Sequence, residues 1–270
     1  MADDANLTPP TAALARLMEV MRRLRDPIDG CPWDLVQTHA SIAPYTIEEA
    51  YEAADAIARG DASDLRDELG DLLLQVVFQA QIAHESEVFD FAAVADAISA
   101  KMIRRHPHIF EPGSDKGPEN WEDIKAAERR SKDGDAAAAP ESALDGVATT
   151  LPPTTRAVKL QKRAARIGFD FPDWHDALAK THEESLEVVR SLADGPEATA
   201  EEVGDLLFAA INLARKLDVD PDAALNAANT KFERRFRAME SALRGTGQDP
   251  ASASLEVQEA AWIAAKRQEK

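Results

Sequence analysis

Two groups of acidic residues recur at nearly the same spacing in this 270-residue chain. Each group is a pair of glutamates three residues apart, followed by a glutamate and an aspartate three residues apart. The first group is Glu49, Glu52, Glu68 and Asp71, and the second is Glu184, Glu187, Glu202 and Asp205. Carboxylate oxygens are ligands that hard divalent cations prefer, whereas the single cysteine, Cys31, cannot build a thiolate site. The pattern predicts Mg²⁺ sites, with Mn²⁺ as an alternative ion.

Each acidic group is followed by a lysine and an arginine four residues apart. The pairs are Lys101 with Arg105 and Lys231 with Arg235. On a helix, residues at this spacing project from one face. Lysine acts as a point charge and arginine as a bidentate fork, so the pair can bind neighbouring phosphate groups. An ordinary salt-bridged surface is the alternative interpretation.

A tryptophan and a lysine form a third recurring feature, as Trp121 with Lys125 and as Trp262 with Lys266. Each pair offers an aromatic plane beside a cation, which suits a nucleotide. A tryptophan buried in a core or an interface is the more frequent role in general. The sequence leaves these two interpretations open.

The first acidic group requires a helical hairpin. The stretch "TIEEAYEAADAIAR" predicts a helix with an apolar stripe of Ile47, Tyr51, Ala54 and Ala58, and Gly60 predicts its end. Because a second helix starts within a few residues, the two helices must be antiparallel. Glu52 and Glu68 each lie eight residues from Gly60, and Glu49 and Asp71 each lie eleven. At about 1.5 Å of rise per residue, these partners face each other at matching heights. The second group repeats the arrangement around Gly195.

The second helix of the first hairpin is expected to be buried. Its polar residues form one narrow stripe, Glu68, Asp71, Gln75 and Gln79, and apolar residues cover the rest. Buried carboxylates are costly unless a cation compensates them, which strengthens the metal interpretation. A solvated acidic face is the alternative, and Glu202 has another, since it could close a capping box with Thr199. Repetition of the whole constellation argues against the solvated face.

Composition narrows the classes of function. The net charge of -18 argues against direct binding of nucleic acid, for which lysine and arginine supply most of the affinity. No apolar run reaches the roughly 20 residues that span a bilayer, and "MADDANLTPP" lacks a signal region. We therefore expect no membrane partner and a cytoplasmic location, which one cysteine also fits.

Motif order predicts two homologous all-helical halves. Four elements recur in one order: "EEAYE" and "EESLE", "ELGDLLL" and "EVGDLLF", "KMIRR" and "KFERR", "WEDIK" and "WIAAK". Between the halves the chain is rich in Gly, Ala, Ser, Thr and Pro, which is typical of a linker. The predicted organisation is an N-terminal helical domain at residues 1–130, a linker at 131–153 and a C-terminal helical domain at 154–270.

These motifs carry a resemblance to a known family. The duplicated "EExxE" and "ExxD", together with "CPWD", "APYTIEEAYE", "RRHPHIF" and "KFERRF", closely resemble the MazG family of nucleoside triphosphate pyrophosphohydrolases. The resemblance implies an all-α fold whose hairpins from two protomers form four-helix bundles, and hence a homodimer. It also implies Mg²⁺-dependent cleavage of nucleoside triphosphates to the monophosphate and pyrophosphate, by attack of water at the α-phosphorus.

The resemblance also assigns roles to the recurring residues. Both acidic groups match the metal ligands of the family. In the C-terminal half, where the resemblance implies most of the hydrolysis, the catalytic set is Glu184, Glu187, Glu202, Asp205, Lys231 and Arg235. The nucleotide contacts are Lys231, Arg235, Trp262 and Lys266, with possible N-terminal counterparts Lys101, Arg105, Trp121 and Lys125. Two alternatives stay open: a nucleotide-sensing module, and a narrower phosphoribosyl-ATP or dUTP pyrophosphohydrolase.

Overall fold

Every regular element in the described part of the chain is a helix. The computed structural model describes residues 9–111 and 142–268, and these two ranges belong to two separate compact units. The predicted all-α class is confirmed. Residues 131–141 of the predicted linker fall outside the described residues. In the described ranges, no helix is long and apolar enough to cross a membrane.

The first unit is built on a hairpin of two long helices. Its helices are α1 (Pro10–Leu24), α2 (Pro32–Leu35), α3 (His39–Arg59), α4 (Ala62–Glu85), α5 (Phe91–Arg105) and α6 (Pro107–Phe110). Helices α3 and α4 form the hairpin, and α1 and α5 pack against α4. A cluster of large apolar side chains fills the space between these helices: Met21, Ile42, Val77, Phe78 and Ile82.

The second unit repeats the hairpin. Its helices are α7 (Pro153–Arg166), α8 (Trp174–Ser191), α9 (Pro196–Lys216), α10 (Pro221–Gly245) and α11 (Leu255–Gln268). Helices α8 and α9 form the hairpin, and α7 packs against α9 and α10. Helices α10 and α11 form a further pair.

The turn of the first hairpin fixes how its helices meet. Gly60 ends α3 in the left-handed region, with φ of 70°, and its N–H donates to the carbonyl oxygen of Ile57 at 3.1 Å. The Asp61 carboxylate then caps α4 by accepting from the backbone N–H groups of Ser63 and Asp64. The predicted end of the helix at Gly60 is confirmed, because a residue without Cβ adopts this φ at little cost.

The capping box suggested for Thr199 and Glu202 is wrong. Helix α9 begins at Pro196 after Gly195, so Thr199 lies inside its first turn. Proline suits this first position because its missing N–H needs no partner there. The Thr199 hydroxyl donates instead to the carbonyl oxygen of Gly195 at 2.9 Å. Glu202 therefore has no capping role and is available for the site.

The predicted apolar stripe of α3 faces outward. Ile47 and Tyr51 are 53% and 58% exposed, whereas the buried residues of this helix are Ile42, Ala53 and Ala56. The side of α3 that faces α4 carries small residues and carboxylates, because the acidic cluster occupies the space between these two helices. Helix α4 also differs from expectation, since its outer face leaves Leu69, Leu73 and Val76 exposed.

A buried arginine ties the loop after α1 to α4. The Arg25 Nη2 atom lies 2.6 Å from Oε2 of Glu85, and its guanidinium lies over the Phe78 ring, 5.4 Å from the centroid. Arg25 also donates to the carbonyl oxygens of Asp34 and Gln37. This contact, which the sequence analysis missed, anchors the short helix α2 to the hairpin.

Candidate metal and nucleotide site

The first hairpin brings three of its four predicted carboxylates together. Glu49 comes from α3, and Glu68 and Asp71 come from successive turns of α4. One carboxylate oxygen of each lies within 4.8 Å of the others. The fourth predicted ligand, Glu52, is exposed and lies within hydrogen-bonding reach of Glu49 and Glu68. It stands beside the cluster of three.

The second hairpin repeats this geometry with a more deeply buried member. Oxygens of Glu184 from α8 and of Glu202 and Asp205 from α9 lie within 4.8 Å of one another. Glu184 is only 5% exposed. Glu187 is half-buried and stands close enough for its charge to act on Glu202. In both hairpins, therefore, three carboxylates converge and the fourth lies at the side.

The clustered negative charges affect each other's protonation. Burial, followed by the charges of Asp71 and Glu52, raises the pKa of the Glu49 carboxyl. Burial and the charge of Glu52 likewise raise the pKa of Glu68. In the second hairpin, burial and then the charges of Glu187, Asp205 and Glu184 raise the pKa of Glu202. Each cluster therefore destabilises its own charged form, which a cation would reverse.

The donor atoms fit a hard divalent cation. All of them are carboxylate oxygens, which Mg²⁺ and Mn²⁺ bind in preference to soft ligands. The Oε2 atom of Glu184 is buried and has no hydrogen-bond partner among the described residues. An unpaired buried carboxylate oxygen is costly, and a metal ion would compensate it. The residues present are therefore suited to hold the predicted ion.

Lys180 distinguishes the second site from the first. Its Nζ atom lies 2.7 Å from Oε1 of Glu184 and 2.9 Å from Oε1 of Glu183. Hydrogen bonds with these two carboxylates raise the pKa of the Lys180 ammonium. The corresponding position of the first hairpin holds Tyr45, whose ring packs edge-on against Trp33. Lys180 is not among the predicted site residues, although its spacing of four residues from Glu184 indicates that the two side chains can pair on one helix face.

The predicted nucleotide contacts of the second unit lie on the α10–α11 pair. Lys231 is exposed on α10, where its neighbour Phe232 contacts the Trp262 ring with centroids 5.3 Å apart. Arg235 lies one turn further along α10, and Lys266 is exposed on α11. Helix α10 also contacts α9, which carries two of the carboxylates. The half-buried Trp262 thus already has a structural partner within this pair.

The N-terminal counterparts are only partly described. Lys101 and Arg105 are half-buried on α5, which packs against the acidic helix α4. Trp121 and Lys125 lie outside the described residues. The structure therefore places the predicted phosphate-binding pair of this unit on a helix that packs against the acidic hairpin.

Comparison with known proteins identifies the family. The profile of the MazG nucleotide pyrophosphohydrolase domain matches residues 37–110 and again residues 174–239. These two segments contain both acidic hairpins.

Individual relatives agree with this match. The chain is 48% identical over 261 residues to a nucleoside triphosphate pyrophosphohydrolase of Escherichia coli K12, covering 94% of this chain and 97% of that protein. A Thermotoga maritima protein, named nucleoside triphosphate pyrophosphohydrolase/pyrophosphatase MazG, is 41% identical over 231 residues, covering 86% and 87%. A nucleoside triphosphate pyrophosphohydrolase of Mycolicibacterium smegmatis is 37% identical over 164 residues, covering 59% and 48%. The chain belongs to the MazG family, with two copies of the family's domain in tandem.

Proposed function

We propose that this protein is a nucleoside triphosphate pyrophosphohydrolase that requires Mg²⁺, with Mn²⁺ as a substitute. It cleaves nucleoside and deoxynucleoside triphosphates to the monophosphate and pyrophosphate. The observation that carries the proposal is the convergence of Glu184, Glu202 and Asp205 within 4.8 Å on a MazG hairpin. The names of the full-length relatives support the same activity.

Each residue of the second site has a proposed role. Glu184, Glu202 and Asp205 hold the metal ion, which would neutralise triphosphate charge and polarise the phosphorus under attack. Glu187 lies at the side of the cluster, so we assign it the proton of the attacking water. Water attacks the α-phosphorus and pyrophosphate leaves. Lys231 and Arg235 stabilise the charge that develops on the leaving group.

The remaining assignments extend this site. Trp262 and Lys266 contact the nucleotide in the second unit, and Lys101, Arg105, Trp121 and Lys125 are their proposed counterparts in the first. Glu49, Glu68 and Asp71, with Glu52 at their side, form a second metal site of lower activity. The ion pair between Lys180 and Glu184 supports a higher activity of the second site, because it fixes the position of that ligand. The first hairpin has Tyr45 at the corresponding position.

Products distinguish the proposal from its alternatives. Incubation with Mg²⁺ and a panel of triphosphates should release monophosphate and pyrophosphate from several of them. Diphosphate and inorganic phosphate as main products would contradict attack at the α-phosphorus. Turnover of dUTP or phosphoribosyl-ATP alone would indicate the narrower enzyme. Nucleotide binding without turnover would indicate a sensing module.

We also propose that the protein is a homodimer that completes a four-helix bundle. The outer faces of both hairpins expose large apolar side chains, among them Tyr51, Leu69, Leu186 and Leu207. Large exposed apolar side chains on one element favour a partner, and a second copy presents the same hairpin. We further propose that the protein resides in the cytoplasm and does not bind nucleic acid directly.

A further inference from the structure

The second unit contains a large cavity that the mechanism above does not use. Its volume is about 740 Å³, within the range of about 300–1,000 Å³ typical of small-molecule sites. The walls come from α7, α9 and the chain segments before and after α7. Apolar and aromatic side chains dominate them, including Leu160, Phe169, Phe171 and Phe208. Phe169 is 80% exposed, so one aromatic face is available to a ligand.

The first unit is filled at the equivalent positions. Met21, the twelfth residue of α1, is buried in the core, and the twelfth residue of α7 is Ala164. Phe78 follows Asp71 by seven residues and is also buried in the core, whereas Asn212 follows Asp205 by seven. Ala164 and Asn212 both line the cavity. Since protein interiors are normally close-packed, two such replacements open space that the fold itself does not require.

Two carboxamides give the cavity a polar edge. Gln161 is only 6% exposed; its Nε2 donates to the carbonyl oxygen of Phe208 at 2.9 Å, and its buried Oε1 has no partner among the described residues. The Oδ1 atom of Asn212 accepts from Nε of Arg215 at 3.0 Å, which leaves the amide N–H groups as donors. Asp170 holds Arg215 in place through an ion pair. An acceptor and a donor therefore stand in the wall of a mostly apolar cavity, near the Asp170–Arg215 ion pair.

The cavity lies along the same helix as the metal ligands. Asp205, Phe208 and Asn212 follow each other at intervals of three and four residues, which places them on one face of α9. At about 1.5 Å of rise per residue, Asn212 lies about 10 Å along the helix from Asp205. The spacing suits a molecule with phosphate at one end and a planar ring at the other.

We propose that this cavity binds the base of the nucleotide substrate, and that the filled core of the first unit denies it an equivalent pocket. The inference rests on the proposed function. A nucleobase offers a flat aromatic surface to Phe169 and both donors and acceptors to Gln161 and Asn212. Because cytosine, adenine and guanine all present such edges, the pocket accepts several bases.

A substitution copied from the first unit tests the pocket. Ala164→Met places at this position the side chain that the first unit carries at Met21. Ala165→Met, on the same helix but outside the cavity lining, is the matched control. We expect Ala164→Met to lower kcat/KM for ATP at least tenfold and to leave kcat/KM for ribose 5-triphosphate, which lacks a base, unchanged. Ala165→Met should change neither value.

Two further measurements distinguish a failure of the proposed pocket from a failure of the proposed function. Saturation-transfer NMR should detect adenosine binding to the wild type and to Ala165→Met, and a marked loss in Ala164→Met, independently of hydrolysis. Circular dichroism must show that all variants are folded. Unchanged adenosine binding and an unchanged ratio of ATP to ribose 5-triphosphate turnover in folded Ala164→Met overturn the pocket. A wild type that hydrolyses no triphosphate of the panel refutes the proposed function, and adenosine binding then still decides the pocket.

Discussion

At the scale of single residues, the two acidic clusters differ in the neighbour of one ligand. Glu184 is buried beside Lys180, whereas Glu49 is less buried and has Tyr45 at the corresponding position. Lys180 supplies a positive charge inside the second cluster. It therefore has the properties of a counter-ion that keeps the hairpin stable until a metal ion binds.

Lys180→Met should destabilise the metal-free protein. Breaking a buried ion pair is strongly destabilising, but Lys180 is partly exposed, so we expect a loss of only about 1 kcal/mol. Saturating Mg²⁺ should remove most of this difference, because the ion replaces the missing charge. Denaturant unfolding with Mg²⁺ and with a chelator measures both values. An equal loss in both conditions would contradict the counter-ion role.

Loss of a metal ligand should affect the two sites unequally. We expect Glu202→Ala or Asp205→Ala to reduce turnover of ATP by orders of magnitude, because the metal supplies several kcal/mol of charge stabilisation. Glu68→Ala and Asp71→Ala are the matched controls and should cost less. Steady-state kinetics on folded variants gives the comparison. If Glu68→Ala abolishes turnover while Glu202→Ala preserves it, the first unit is the catalyst.

The acidic clusters should give the metal-free protein an unusual pH dependence. The pKa of Glu202 is raised in the folded state, mainly by burial, so folding favours its protonated form. Its contribution to stability is therefore fully present below the unfolded value of about 4.3 and is lost as pH rises through the folded pKa. Glu202→Gln should flatten this part of the curve of unfolding free energy against pH, measured with a chelator. Parallel curves for the two proteins would refute the assignment.

At the scale of helices, sequence pattern predicted the hairpins and four carboxylates for each cluster, of which three converge in the structure. Gly60 marked the turn, and counting residues from it paired Glu49 with Asp71. The orientation of α3 could not be read in this way. Periodicity identifies an apolar stripe such as Ile47 and Tyr51, but it does not say whether this stripe or the acidic one meets the neighbouring helix. The cavity was also unpredictable, because it depends on the volumes of side chains from several helices.

Arg25 should stabilise the first unit by holding α2 and its flanking loops against α4. Arg25→Met removes the ion pair with Glu85 and the hydrogen bonds to two backbone carbonyls. Because Glu85 is about one-third exposed and can rehydrate, we expect a loss of about 2 kcal/mol rather than the 3–5 kcal/mol of a fully buried pair. Denaturant unfolding measures it, with Arg22→Met, on the exposed side of α1, as the control. Equal effects of the two substitutions would argue against the anchoring role.

At the scale of the whole molecule, the chain joins two units that share a hairpin and differ in their interiors. One is filled by Met21 and Phe78, and the other is open beside Ala164 and Asn212. Both units thus share the acidic hairpin, whereas the packing around it differs. Both hairpins nonetheless keep exposed apolar outer faces.

Charges on these outer faces should dissociate the proposed dimer. The double variant Leu73→Glu and Leu207→Glu should be a folded monomer, because it places carboxylates in the centre of an apolar contact. Leu225→Glu, an equally exposed leucine on α10, should stay dimeric. Light scattering gives the masses. A monomeric and fully active wild type would exclude the dimer.

The left-handed turn at Gly60 has a consequence for how this sequence can vary in length. Each residue added inside a helix rotates the part that follows by about 100°, so one insertion between Ala62, where α4 begins, and Glu68 would turn Glu68 and Asp71 away from Glu49. A whole extra turn would restore the direction but shift the heights by about 5 Å. Glu49 and Asp71 are 22 positions apart, whereas Glu184 and Asp205 are 21 apart, and both clusters still converge. The two hairpins share the count from the start of the second helix to its glutamate, which is six positions both from Ala62 to Glu68 and from Pro196 to Glu202. Insertions and deletions should therefore be tolerated in the turn itself and not within this first part of the second helix.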